Sequence, residues 1–111
     1  DYILPADTTL ERMDLLCAYG NYYYSLSEQA IPKIGESLDN NELFRRLAVH
    51  MGYDDPCFRQ TDEEMIREIL DPEFNPLFEG ITYEGLKRTG WAKAAIDSPR
   101  RPGLNSGRWA T

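Results

Sequence analysis

Metal-binding and nucleophilic side chains are scarce. The chain carries two cysteines, Cys17 and Cys57, and one histidine, His50. No CxxC or Cys/His ligand spacing can be written from these, which excludes a zinc or iron–sulfur site built from this segment alone. Two thiols in an ordinary domain are expected to be reduced and buried. His50 falls late in a predicted helix, where a basic residue suits the helix dipole. No nucleophile–base pattern lies beside it. GxSxG, P-loop, GxGxxG and HExxH motifs are all absent.

Basic charge is also in short supply. The net charge is -7, which argues against nucleic acid as a partner, because phosphate binding needs clustered Lys and Arg. The one basic cluster, Arg100-Arg101, is short and reads as a solvated tail. No apolar run approaches the length of a membrane span, so no membrane insertion is expected, and no signal peptide is visible. No internal repeat is seen. The acidic pairs Asp54-Asp55 and Glu63-Glu64 fit turns and helix starts better than acid–base chemistry.

What remains is ordinary globular material. Of 111 residues, 41% are hydrophobic and 28% charged, enough for one small domain or a fraction of a larger one. Residues 2–5 read as the end of a buried strand stopped by Pro5. With no initiator Met and nothing before Tyr2 to pair with, the chain is expected to be a piece of a larger protein. Leu10, Met13, Leu16 and Cys17 have helical spacing, yet Ala18-Tyr19-Gly20-Asn21 predicts a winding loop with one helical turn and a turn at Gly20-Asn21. Residues 22–26 have strand propensity, with Tyr22, Tyr24 and Leu26 on one face. The tyrosines between positions 19 and 24 fit a strand packed on a helical layer; the sharper alternative is a surface for a planar ligand or another domain.

The clearest helix is capped by Asp39 with Glu42 as a capping box, carries an apolar stripe of Leu43, Phe44, Leu47, Ala48 and Met51, and ends at Gly52. Glu42, Arg45 and Arg46 are expected in solvent. Asp55-Pro56 predicts one short turn. A second helix starts at a capping box, Thr61 to Glu64, and buries Met65, Ile66, Ile69 and Leu70 before Asp71-Pro72 stops it. Residues 71–80 read as a loop or a single turn. A third helix follows Thr82, turns Tyr83 and Leu86 inward and closes at Gly90, after which Trp91 packs back. The expected fold is therefore mostly α: a small helical domain of about three helices with a short strand or hairpin and extended termini. It divides into a helical segment, 1–91, and an extended linker or tail, 92–111.

The order of these elements carries a resemblance. Tyr2-Ile3-Leu4-Pro5-Ala6, Thr8 and Glu11, a Gly-Asn turn into an aromatic strand, Ala30-Ile31-Pro32, Gly35-Glu36, Asn41-Glu42-Leu43-Phe44-Arg45-Arg46-Leu47-Ala48, Met51-Gly52-Tyr53, Gly80-Ile81-Thr82-Tyr83 and Gly90-Trp91 follow in sequence. The set resembles the large catalytic subunit of molybdopterin oxidoreductases, the dimethyl sulfoxide reductase superfamily. Its motifs there run "ADxxLPA", then "T…E", then "GEA…N…F…LA…MG". The resemblance implies a molybdenum or tungsten bis-pterin guanine dinucleotide cofactor in the parent, with none bound to the piece alone. The parent's metal ligand and iron–sulfur cysteines would lie upstream. Thr8 and Glu11 match the polar loop near the cofactor cleft, and Asn21 and Tyr23 fall where many members carry N-x-E-x-R. Here the Glu and Arg of that stretch are missing, which implies a different substrate funnel.

The function implied is a part of that oxidoreductase which helps to cover the cofactor domain and is inactive alone. The implied partners are the remaining domains of the parent, an electron-transfer subunit and, for the excised piece, a second copy. A cytoplasmic setting is favoured over a periplasmic one. The alternative from another class is a stand-alone acidic helical module that binds a protein through its tyrosine-rich face.

Overall fold

The structure is a computed structural model and describes residues 1–96. Arg100-Arg101 and most of the expected tail lie outside the described residues. Among the described residues three α-helices and a three-stranded antiparallel sheet are present, in the order β1 (Asp14–Cys17), β2 (Tyr23–Ser27), α1 (Asn40–Met51), a 3₁₀ turn (Pro56–Arg59), α2 (Asp62–Ile69), a 3₁₀ turn (Pro76–Phe78), α3 (Tyr83–Thr89) and β3 (Trp91–Lys93). The expected small domain with a short hairpin is what forms.

The sheet has two unlike faces because side chains alternate along a strand. Leu15 pairs with Leu26 and Tyr24 with Ala92. These residues pack, with Met13, onto Ile66, Leu70, Phe78, Ile81, Tyr83 and Leu86. Tyr24 meets Phe78 edge to face, 4.8 Å between ring centroids, the arrangement that ring quadrupoles favour. Arg67 lies 4.4 Å over the Tyr83 ring and is held there by Glu63 and Glu84. Every helix sits in the connection between β2 and β3, so the core closes only when distant segments meet.

Several sequence expectations are overturned. Residues 2–5 form no strand; the first pairing is a single parallel bridge between Ala6 and Leu38. The expected helical turn before Cys17 is β1, since Leu15 needs the core face that period-2 spacing supplies. Tyr22 is exposed and precedes the strand, leaving Tyr24 and Leu26 as the inward pair. Trp91 does not pack back: it is 57% exposed on the outer sheet face, 5.4 Å from Tyr23 between ring centroids. The strand it begins is β3, Trp91–Lys93, and Ala94 beyond it is buried. Both cysteines are free and exposed.

Helix α1 departs furthest. Asp39 caps it by accepting from the Glu42 amide at 2.7 Å. The Glu42 side chain does not reach back, because it is taken by Arg45 and Arg46. Of the apolar stripe only Ala48 is buried; Phe44, Leu47 and Met51 are exposed, as is Val49. Ile69 of α2 is exposed as well. Arg45, expected in solvent, instead donates to the Gln60 carbonyl at 2.7 Å and to Asp62 at 2.6 Å. α1 is thus tied to the body by polar contacts while its apolar side chains stay uncovered. In α2 the Thr61 capping box forms in both directions.

This contrast is measurable. In urea denaturation of the 111-residue chain, Leu86→Ala should cost about 2–5 kcal/mol, because Leu86 is fully buried. Phe44→Ala should stay within about 0.5 kcal/mol, the usual range for an uncovered surface position.

Candidate functional site

Two clusters bear chemistry, one at each end of the β1–β2 hairpin. The first begins with a local rule. Thr8 and Glu11 have the spacing of a capping box, but no helix follows them. The Thr8 amide and Thr8 Oγ1 both donate to Glu11 Oε2 at 2.8 Å. The Glu11 amide returns a bond to the Thr8 carbonyl at 3.0 Å. The same two donors of Thr61 bind Glu64 Oε2 at 2.7 and 2.8 Å. The two boxes differ in what the glutamate does next. Glu64 is exposed, whereas Glu11 is 3% exposed. Its Oε1 accepts from the Ile34 amide at 2.7 Å and from Ser37 Oγ at 3.1 Å.

Those last two donors are presented by a turn from Ile34 to Ser37, closed by a Ser37 amide to Ile34 carbonyl bond of 3.3 Å. Gly35 adopts φ +62° there, a left-handed conformation that side-chain-bearing residues avoid. All four lone-pair positions of the Glu11 carboxylate are filled. The Ile34 amide first, then the Thr8 amide and hydroxyl, hold its pKa down from 4.5 to about 2. A carboxylate so fixed cannot take up or release a proton near neutral pH. It acts as a clamp joining the 8–11 loop to the 34–37 turn.

Further charges brace this clamp. The Asp7 side chain is 1% exposed and accepts from Arg12 Nη1 at 3.0 Å. Its second oxygen is buried without a partner among the described residues. Asp39 pairs with Lys33. Burial pushes the Asp39 carboxyl up, but Lys33 and the Glu42 amide outweigh it and leave its pKa below the usual range. Lys33 is raised in turn, chiefly by its hydrogen bond to Asp39. A polar cavity of about 160 Å³ lies nearby, between Arg12, Asp14, Asp39, Asn41 and Asp62. Among the described residues no group of three His, Cys, Asp or Glu side chains is placed to hold a metal ion.

The second cluster is the closed end of the hairpin. Ala18 to Asn21 form a turn, with an Asn21 amide to Ala18 carbonyl contact of 3.4 Å and Gly20 at φ +81°, as a type II turn requires. Asn21 Oδ1 accepts from the Tyr23 amide at 2.9 Å and so sets the entry of β2. Tyr19, Tyr22, Tyr23 and Trp91 are all exposed there.

The four predicted site residues therefore divide into two hydrogen-bonded pairs, Thr8 with Glu11 and Asn21 with Tyr23. They are separated by the length of β1, about 14 Å for a four-residue strand. Sequence reasoning missed Asp7, Arg12, Ile34 and Ser37 as members of the first cluster. The Thr8-x-x-Glu11 spacing, repeated at Thr61-x-x-Glu64, was the available signal for its local half. Nothing in the spacing marks the partners across the loop.

A class can be assigned first to the architecture: a small sheet-and-helix unit whose polar clusters lie in loops. Comparison with curated proteins then finds the probable oxidoreductase YoaE of Bacillus subtilis (strain 168), 37% identical to this chain over 103 residues. The match takes in 93% of this chain but only 15% of YoaE. No family model matches the chain, and no solved structure matches it.

The clamp has a pH signature. Because the folded-state pKa of Glu11 is depressed to about 2, its contribution to stability is fully present above its ordinary value of 4.5 and is lost as the pH falls through about 2. Thermal denaturation of the chain between pH 6 and pH 2 should therefore show a stability gap between wild type and Glu11→Gln that narrows towards the acid end. A gap unchanged across this range would remove the clamp.

Proposed function

We propose that this chain is a segment of the catalytic subunit of a molybdenum- or tungsten-dependent oxidoreductase with a bis-pterin guanine dinucleotide cofactor. It helps to cover the cofactor domain and has no turnover by itself. The observation that carries the reading is the 37% identity, over almost the whole chain, to a much longer probable oxidoreductase. The ordered run of motifs from Tyr2 to Trp91 supplies the finer assignment.

The residues present fit such a cofactor in part. The Thr8 hydroxyl and all of the Glu11 carboxylate are spent on the clamp, so these two shape a loop and touch no cofactor. Among the described residues Asn21 uses only its oxygen, and its amide nitrogen would donate to a polar heterocycle. The half-exposed Tyr23 ring offers an apolar face and a hydroxyl beside it. When bound, the cofactor supplies the redox chemistry, and protein groups orient it and exclude water. Asn21 and Tyr23 would orient; the hairpin end and the uncovered side chains of α1 would exclude water. The partners in this reading are the remaining domains of the subunit and an electron-transfer subunit.

A second reading is favoured by one observation. Tyr19, Tyr22, Tyr23 and Trp91 are exposed together, and such residues anchor protein–protein contacts. A free-standing acidic interaction module would use this face.

The readings separate on the natural polypeptide that contains these residues. Purified from its own host, it should contain molybdenum or tungsten together with pterin. Tyr23→Ala should lower the pterin content while the circular dichroism spectrum stays that of wild type. A natural polypeptide with neither metal nor pterin would overturn the proposal and leave the interaction module.

A further inference from the structure

We infer that the free edge of β1 is a docking site for an extended segment of a partner polypeptide, which adds to the sheet as an antiparallel fourth strand and carries apolar residues at alternate positions followed by a basic one. The sheet order β1-β2-β3 leaves β1 at an edge, and its backbone can be oriented residue by residue. The Leu26 amide donates to the Gly90 carbonyl at 3.3 Å, and the Ala94 amide to the Tyr22 carbonyl at 2.8 Å. The even-numbered residues of β2 therefore turn their amides and carbonyls towards β3, and the odd-numbered ones turn theirs towards β1. Ser25 and Ser27 stand opposite Leu16 and Asp14. Leu16 and Asp14 thus bond to β2, while the backbone groups of Leu15 and Cys17 point away from the sheet. Among the described residues nothing pairs with them. β1 reads Asp-Leu-Leu-Cys and has neither the proline nor the lysine that commonly blunts an edge.

Beside this edge lies a groove of about 280 Å³, between β1 and α2, lined by Asp14, Leu15, Asp62, Ile66, Ile69 and Phe78. Ile69 and Cys17 are exposed, so its apolar part is open to an incoming chain. Side chains directly opposite one another in a sheet share a face. The partner residues opposite Leu15 and Cys17 would therefore lie on the face of Leu15, towards Ile66 and Ile69, where apolar side chains fit.

The far end of the groove is acidic. An antiparallel strand that passes Cys17 and then Leu15 next meets Asp14. The Asp14 side chain is 41% exposed and is held only by Arg12 at 3.5 Å, whose other nitrogen is 3.0 Å from Asp7. Asp62 and Asp39 line the polar cavity that continues from there. A basic side chain is what this end attracts. A second copy of the chain, itself at net charge -7, is repelled by it, which selects a basic partner. Main-chain hydrogen bonds along the edge supply affinity in such complexes, and alternate side chains supply selectivity.

Titration of the 111-residue chain with acetyl-Val-Thr-Val-Arg-amide tests the inference, read by amide resonances and hydrogen exchange. The valines would oppose Cys17 and Leu15, and the arginine Asp14. Saturating peptide should shift the Leu15 and Cys17 amides and slow their exchange at least about tenfold, while the Leu16 amide, already bonded to β2, stays unchanged. N-methylation of the second valine blocks an amide that faces β1 and should weaken binding at least about tenfold. N-methylation of the threonine, whose amide faces away, should leave binding unchanged. Asp14→Asn should weaken the arginine peptide about threefold and its glutamine analogue not at all. Absence of binding, or equal effects of the two N-methylations, would overturn the inference. So would slow exchange at Leu15 and Cys17 before peptide is added: protection that fades on dilution assigns the edge to a second copy, and protection that persists assigns it to the chain itself. The natural polypeptide should bind the peptide as well; binding by the short chain alone assigns the edge to the rest of the same subunit and overturns the partner. Metal and pterin content enter none of these outcomes, so the proposed function is tested apart from them.

Discussion

Four donors converge on the Glu11 carboxylate, two from Thr8 and two from residues 23 and 26 positions further along the chain. The cost of stripping water from a carboxylate is met only if its lone pairs are refilled, and here each of them is. The clamp fixes where the 34–37 turn lies, and that turn leads directly into the Asp39 cap of α1. It also fixes the base of the first strand of the hairpin, where the Leu10 carbonyl accepts from the amides of Ala30 and Ile31. The hairpin, the first helix and the N-terminal segment all take their positions from one buried anion.

Beyond the clamp, the molecule is held by two different kinds of contact. β1, β2, β3, α2 and α3 share an apolar core, and burial of Leu15, Tyr24, Phe78 and Leu86 supplies the non-directional part of the stabilisation. α1 has almost no share in it. Arg45 and Asn41 bind it to Asp62, and Asp39 binds it to Lys33, while Phe44, Leu47, Val49 and Met51 face outward. Tyr2, Ile3 and Trp91 are exposed as well, and large exposed apolar patches commonly mark contact faces. Under the proposed function these faces meet the other domains of an oxidoreductase subunit, and the chain contributes shape and water exclusion in place of reacting groups.

Sequence alone went far wherever the governing rule is local. Asp39, Thr61 and Thr82 each cap the helix that their spacing announced, and Leu86 and Tyr83 turn inward as their helical positions require. It failed where one period imitates another. Leu10, Met13, Leu16 and Cys17 have helical spacing, yet the core takes Leu15 through an alternating strand. It failed again where an apolar stripe was equated with burial, since of the stripe on α1 only Ala48 is buried among the described residues. At the candidate site Thr8 and Glu11 were singled out by the family resemblance, and their capping-box spacing was the local signal that pairs them. The Ile34 and Ser37 donors were not, because they arrive through a turn whose geometry depends on Gly35. No residue pattern reports a loop-to-loop contact of that length.

Under the proposed function, the uncovered apolar side chains of α1 and the outer sheet face are covered by the remainder of a longer natural polypeptide. Hydroxyl-radical footprinting of Phe44, Met51 and Trp91 tests this most directly, comparing the 111-residue chain with the natural polypeptide. The account predicts ready labelling in the short chain and strong suppression in the natural one. Equal labelling of all three residues in both samples would contradict it.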